Sequence, residues 1–355
     1  MATRASVEAL TQWAQSVFAA EGVPAPGAQT LADNLGWAER RGIQTHGFIR
    51  IPIYLERIRA GGIVADARPV VTRREGAVAV VDCADGPGAI GAMLASELAG
   101  EIAGDAGIGF VAACNANHFG AAGFYAEILA HRGLVSAILS NADAVMAPPF
   151  GGKRVLGTNP IAVGAPPVGE LTPLLDMATT NVAYGKLLVA ARSGTPIPLD
   201  WAVDVDGQPT SDAKRGLDGA LLPLGGPKGF GLAFIVDVFA ALGGAYVSPD
   251  ARPLYGERSR PQKLGFNVIA INAEMLGGTE IFHSRLERLI DAVHAAGSGD
   301  VPMPMIPGEP EQRHEREANG QLLLSDEELA ELDALAEAYA LPLPLETSSP
   351  TSASE

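Results

Sequence analysis

The chain has 355 residues, 47% of them hydrophobic and 19% charged, with 42 glycines, 26 prolines and a formal charge of −16 at pH 7. That length accommodates one large or two medium domains with a sizeable core. The negative charge argues against broad electrostatic binding to nucleic acid or an anionic membrane, and no apolar run reaches the ~18 residues of a spanning helix. A few local cations can still hold a small anion inside an acidic protein. The first residues lack the long apolar core of a secretory signal, and Cys83 and Cys114 sit in apolar strand-like runs. They read as small buried hydrophobes in a reduced compartment, so a cytoplasmic protein is expected.

The first ~60 residues read as helical. Val7, Leu10, Ala14, Val17 and Phe18 repeat at helical spacing, Leu31 to Arg40 continues the pattern, and a third helix is expected from Ile51-Pro52 to Gly61-Gly62. Short apolar runs at 77–81, 108–113, 134–139 and 267–272, bounded by Gly, Asp or Asn, have the form of buried strands. Helical stretches fall between or after them, around 90–104, 120–132, 228–243 and 279–296. After a Pro-rich connector, Val301 to Pro307, a capping box at Ser325-Asp-Glu-Glu328 opens a last amphipathic helix. The two helical ends flank an α/β middle and are expected to pack together. Residues 1–70 with 300–341 then form a helical domain, 71–299 an α/β domain, and 342–355, rich in Ser, Thr and Pro, a disordered tail.

Asn115-Ala-Asn-His118-Phe-Gly-Ala-Ala-Gly123 places a histidine among small residues between a strand and a helix. An imidazole with an ordinary pKa of ~6.5 can trade protons there near neutral pH; equally, its nitrogens could be satisfied in a core turn. In Arg41-Gly-Ile-Gln-Thr45-His46-Gly47-Phe-Ile-Arg50, His46 and Arg50 are four apart and would share one helix face. An arginine fork grips a carboxylate, and a titratable histidine beside it suits oxo-acid reduction or hydroxy-acid oxidation. The alternative is an exposed helix start with a surface arginine. Asp176-Met-Ala-Thr-Thr180 with Gly185-Lys186, Lys228-Gly229 after Gly225-Gly226, and Gly157-Thr-Asn159-Pro160 are tight turns that could present amides or a cation to a ligand. Gly86-Pro-Gly88-Ala-Ile-Gly91 matches a dinucleotide fingerprint. Pro87 removes a donor, however, and Asp85 puts charge where a pyrophosphate would lie, so a plain strand-to-helix turn is the better reading. Histidine and cysteine spacings give no metal motif, and no G-x-S-x-G nucleophile elbow occurs.

Taken in order, Thr-His46-Gly with Arg50, Asn-Ala-Asn-His118-Phe-Gly, Gly-Thr-Asn-Pro160, Asp176-Met-Ala-Thr-Thr, Gly185-Lys186, Pro-Lys228-Gly-Phe-Gly and Pro307-Gly-Glu-Pro310 resemble the malate/L-lactate dehydrogenase family that is distinct from the Rossmann lactate dehydrogenases. The resemblance spans about residues 5–340. Its relatives act on sulfolactate, ureidoglycolate, diketogulonate and cyclic ketimine acids. It implies a non-Rossmann α/β fold with a mixed sheet and flanking helices, NAD or NADP as cofactor, hydride transfer to or from a small 2-oxo or 2-hydroxy acid, and a homodimer with the site near the subunit interface. Carried over by position, His118 becomes the acid–base histidine and His46 a second active-site histidine. Arg50 becomes the carboxylate clamp, with Thr45 and Asn159 beside the substrate. Asp176, Met177, Ala178, Lys228, Gly229, Gly308, Glu309 and Pro310 line the cofactor. Thr45 replaces the family's usual Ser, and Thr210-Ser-Asp212-Ala213 its usual Thr-Thr-Asp-Pro. Two rivals are a Rossmann dehydrogenase using Gly86–Gly91 and a metabolite-binding protein without turnover.

Overall fold

The computed structural model describes residues 3–149, 151–297 and 303–345. From the N-terminus come β1 (Thr3–Ser6), α1 (Val7–Ala20), α2 (Ala25–Arg40), two 3₁₀ turns (Gln44–His46 and Phe48–Arg50) and α3 (Ile51–Arg59). The middle holds β2 (Val70–Glu75), β3 (Val78–Asp82), α4 (Gly88–Ala106), β4 (Ile108–Ala116), α5 (Ala122–His131), β5 (Leu134–Ser140), β6 (Ile161–Gly164) and β7 (Leu174–Met177). An excursion of α6 (Tyr184–Ser193), β8 (Ala202–Val203), α7 (Ala213–Asp218) and β9 (Ala220–Leu221) precedes α8 (Pro227–Leu242), β10 (Leu264–Asn272) and α9 (Thr279–His294). Last come α10 (Glu309–Ala318), β11 (Gln321–Leu324) and α11 (Asp326–Tyr339).

The main sheet has the order β2-β3-β4-β10-β5-β6-β7. Only β3 and β4 pair in parallel; every other neighbouring pair is antiparallel. This mixed sheet excludes a doubly wound Rossmann topology, which needs successive parallel crossovers. Alternation along β4 divides the two faces. Val111 and Ala113 join the core under α4 and α5, whereas the Phe110 ring meets Phe239 of α8 on the other side. Gly109 faces α4 so closely that a Cβ would overlap the Ala99 carbonyl, which is why this strand position has no side chain.

A second apolar cluster joins the chain's two ends. The stripe Val7, Leu10, Trp13, Ala14, Val17 and Phe18 of α1 packs with Leu31 and Leu35 of α2, Tyr54 and Leu55 of α3, and Leu324 and Leu332 from the C-terminal segment. Ser6 caps α1 through the Ala9 N–H, and the capping box Ser325/Glu328 starts α11. β1 and β11 pair antiparallel, so the first described residues are strand rather than helix. The tail expected to be disordered from Pro342 is ordered at its start. Leu343 and Leu345 pack on this cluster and Leu345 bridges to Ala5, because their apolar surface has a face to cover. Residues 346–355, the expected boundary at 299/300 and the start of the Pro-rich connector lie outside the described residues.

Candidate active site

Thr45, His46 and Arg50 stand where α2 has ended and α3 has not begun. They do not share one helix, as their spacing suggested. Gly47 is extended (φ −88°, ψ −149°) and splits the segment into two 3₁₀ turns. The turns nonetheless fold the three side chains together. Arg50 Nε donates to the Thr45 carbonyl at 2.7 Å, one Nη1 hydrogen goes to the Tyr255 hydroxyl, and Thr45 Oγ1 lies 3.0 Å from His46 Nδ1. Arg50 is only 5% exposed, yet no carboxylate of the described residues comes within ion-pair distance. A buried guanidinium is normally paired. Here the bonds to Thr45 and Tyr255 do not offset its charge.

His118 reaches the same place from the end of β4. Its ring stacks on His46 with centroids 5.6 Å apart and planes at 25°. The loop is clamped on both sides. The His118 N–H donates to Gln262 Oε1 (2.9 Å) while the Gln262 N–H donates to Asn117 Oδ1 (3.1 Å), and Asn34 of α2 exchanges two hydrogen bonds with the Ala121 backbone. Nδ1 of His118 accepts the Gly120 N–H at 3.2 Å and lies 2.6 Å from the Tyr54 hydroxyl. These bonds assign the neutral ring's proton to Nε2. Both imidazoles therefore spend Nδ1 on the protein and keep Nε2 for a ligand.

Burial disfavours the charged form of both rings, and the neighbouring guanidinium adds to it. His46 is pushed down to about 3, and His118 is lowered well below its ordinary range by burial, then Arg50, then His46. Burial also raises the Tyr54 hydroxyl, with Arg50 opposing. The site is thus an unpaired cation beside neutral proton-handling groups.

The expected cofactor residues are brought together along β7 and its C-terminal turn. A Cβ on Gly308 would press on Leu174, and Leu174 N–H donates to the Pro307 carbonyl (2.9 Å), which seats the 307–310 turn at the strand's start. At the far end the Leu224 N–H donates to the Thr179 carbonyl (2.9 Å), and Gly229 has no room for a Cβ against it. Between them Asp176 Oδ2 accepts the Gly123 N–H (2.7 Å) at the start of α5, tying this ledge to the His118 loop. Asp176 opens to solvent, which moderates the upward push that surrounding protein gives its carboxyl. Met177 and Ala178 are half-buried, and Lys228 is exposed with no ion pair among the described residues. α8 has no side-chain cap at its N-terminus. A free ammonium at an open helix N-terminus and a carboxylate on the same ledge suit the phosphates and ribose hydroxyls of a nicotinamide dinucleotide. Glu309 turns inward instead, accepting from Ile306 N–H (3.0 Å) and pairing with His294 Nε2 (2.8 Å). Pro310 starts α10 beside it.

Asn159, expected beside the substrate, is turned into the protein. It is 0% exposed; Oδ1 accepts from Ala142 N–H (3.0 Å), and Nδ2 donates to the Ala233 carbonyl (2.9 Å) and Asp237 Oδ2 (3.1 Å). With its amide saturated, it is a structural residue that fastens α8 to the sheet. The Gly86–Gly91 turn is likewise structural. Asn117 Nδ2 donates to the carbonyls of Asp85 and Gly86, and side chains at Gly88 or Gly91 would overlap the His118 loop or Cys83. Asp212 caps α7, explaining the Thr-Ser-Asp-Ala turn without a ligand. Tyr54, Tyr255, Gln262 and Asn34 were not singled out from sequence. Tyr54 alone carried a signal, sitting one helical turn after Arg50.

A buried arginine with no ion pair among the described residues and two buried imidazoles thus meet beside the β7 ledge of a mixed sheet. The comparisons agree: the family model described as malate/L-lactate dehydrogenase matches residues 5–333, and the chain belongs to that family. It is 38% identical over 294 residues to the L-sulfolactate dehydrogenase of Methanocaldococcus jannaschii, covering 82% of this chain and 85% of the relative. It is 37% identical over 261 residues to the (2R)-3-sulfolactate dehydrogenase (NADP(+)) of Chromohalobacter salexigens, covering 73% and 78%. Malate dehydrogenase from Entamoeba histolytica superposes with a TM-score of 0.92 at 27% identity, covering 97% of this chain and all of that one.

Proposed function

We propose that this oxidoreductase moves hydride between NAD or NADP and the carbon next to the carboxylate of a small 2-oxo or 2-hydroxy acid, or of a cyclic ketimine acid. The observation that carries the reading is the buried Arg50, with no carboxylate partner among the described residues, beside two histidines whose Nε2 atoms meet no hydrogen-bond partner among them. Arg50 takes the substrate carboxylate through its unspent N–H groups. Asp176 to Ala178, Lys228, Gly229 and the Gly308 turn would hold the nicotinamide cofactor, which would supply or accept the hydride when bound. In the reducing direction His118 Nε2–H donates to the developing alkoxide, and the Tyr54 hydroxyl replaces that proton at Nδ1. Burial works against the phenolate this leaves, so Tyr54 takes a proton back from solvent to complete the cycle. Tyr54 distinguishes the two rings and supports giving the proton to His118 rather than to His46, whose Nδ1 meets Thr45 Oγ1.

Leu174 to Thr179 spans roughly 16 Å at ~3.3 Å per extended residue, long enough for a dinucleotide beside a small acid. α8 exposes Leu232, Phe234, Ile235, Val238 and Leu242 on one side, and this apolar face fits a second copy of the chain. Sedimentation of Phe234→Asp as a monomer supports that partner; an unchanged state refutes it. The function is tested by mixing the protein with NADH or NADPH and a panel of 2-oxo and ketimine acids while following the loss of reduced nicotinamide absorbance. No turnover across the panel would refute the reading.

A further inference from the structure

Behind the His46–Arg50 turns lies a carboxylate that the reaction does not touch. Glu39, in the last turn of α2, is 5% exposed; its Oε1 accepts the Phe48 N–H at 2.7 Å, and its Oε2 is buried with no hydrogen-bond partner. A Cβ on Gly47 would overlap this carboxylate, so the Gly47–Phe48 peptide lies directly on it. That peptide joins the turn bearing His46 to the turn bearing Arg50, and the Arg50 N–H in turn donates to the Gly47 carbonyl at 3.0 Å. One buried acceptor thus fixes the junction on which both functional side chains depend.

We propose that Glu39 is a positioning residue that sets the His46–Arg50 turn for carboxylate binding and proton transfer. The inference rests on the function proposed above but does not use the cofactor. Burying a carboxylate is costly: burial first and Glu328 second push the Glu39 carboxyl up to about 7, against the opposing Phe48 N–H. An apolar residue would avoid that cost but leave the Phe48 N–H without an acceptor. The role needs an oxygen at this point and not a charge. The neighbouring acids Glu328 and Glu331 are already engaged, with Ser325 and Arg192.

The test compares Glu39→Gln with Glu39→Ala. The carboxamide oxygen can accept the same N–H, so Glu39→Gln is expected to stay within about threefold of wild type. Glu39→Ala should lose roughly 10- to 100-fold in oxo-acid kcat/KM, as misplacements near 1 Å do, while cofactor affinity is kept. Binding of oxamate, a non-reducible oxo-acid mimic, is measured by calorimetry alongside turnover. Oxamate affinity that falls in Glu39→Ala and returns in Glu39→Gln supports the proposal even where the wild type reduces none of the acids, which separates it from the fate of the functional reading. Equal damage in both variants, or Glu39→Ala within threefold of wild type, overturns it. If Glu39→Ala does not fold, Gly47→Ala takes its place: it should weaken oxamate binding with cofactor affinity unchanged, and wild-type oxamate binding overturns the proposal.

Discussion

Replacing Arg50 with methionine keeps most of the stem's volume and removes the guanidinium. Two of its donors are committed to Thr45 and Tyr255, so a substrate carboxylate meets the rest in a cleft that excludes much of the water. Truncating one partner of such a buried charge pair costs about 2–5 kcal/mol, or roughly 30- to 4,000-fold in oxo-acid kcat/KM. Cofactor binding, on the β7 ledge, should change little. The assay is steady-state reduction of a 2-oxo acid and of its methyl ester by both enzymes. The ester lacks the charge, so Arg50→Met should abolish most of the wild type's preference for the acid and leave the ester rate nearly unchanged. A second signature has a defined sign. Arg50 holds both histidines toward their neutral forms, and removing a positive neighbour makes protonation easier. The acid limb of the pH–rate profile should therefore move to higher pH. An acid kcat/KM within threefold of wild type, or an equal loss for acid and ester, would refute the carboxylate clamp.

Tyr54→Phe should lower the reduction rate constant about 10- to 100-fold with little change in oxo-acid KM, read in stopped-flow single turnovers. Asn159→Ala leaves the Ala142 N–H without its acceptor and removes one donor each from the Ala233 carbonyl and Asp237 Oδ2, so thermal denaturation should show a loss of about 1–3 kcal/mol or more. Its KM, measured well below the melting temperature, should stay within about twofold; a raised KM in a fully stable variant would return Asn159 to the substrate. Glu39 has a folded-state pKa near 7 against an ordinary 4.5, so its contribution is present below pH 4.5 and lost as pH rises through 7. Glu39→Gln should accordingly gain stability over wild type across that window, levelling at about 3 kcal/mol above it. Urea unfolding at pH 5 and pH 8 measures the difference, and equal gains at both pH values would contradict it.

The strands at 108–116 and 134–140 and the stripe on α1 were legible because burial writes itself into local periodicity. The order of the sheet was not, because β10 enters between β4 and β5 from far along the chain, and nothing local in 264–272 names its neighbours. The site divides the same way. His46, Arg50 and His118 belong to motifs, whereas Gln262, Asn34 and Glu39 act through hydrogen bonds between distant segments. The bonds of Asn159 were hidden for a physical reason: an asparagine in a Gly-Thr-Asn-Pro turn looks alike in sequence whether its amide faces a ligand or, as here, bonds to Asp237 and Ala233.

The late arrival of β10 has a consequence for how the protein is made. During synthesis β4 and β5 emerge with the gap between them unfilled, and non-local strands of this kind are slow to insert. The residues just before β10, Gln262 and Lys263, are the ones that hold the His118 loop, through the His118 N–H and through Asp85 and Asn115. The clamp on His118 therefore lacks its Gln262 side until the sheet closes. The second half of the clamp on the proposed proton-transfer residue is thus completed by the same event that completes the core.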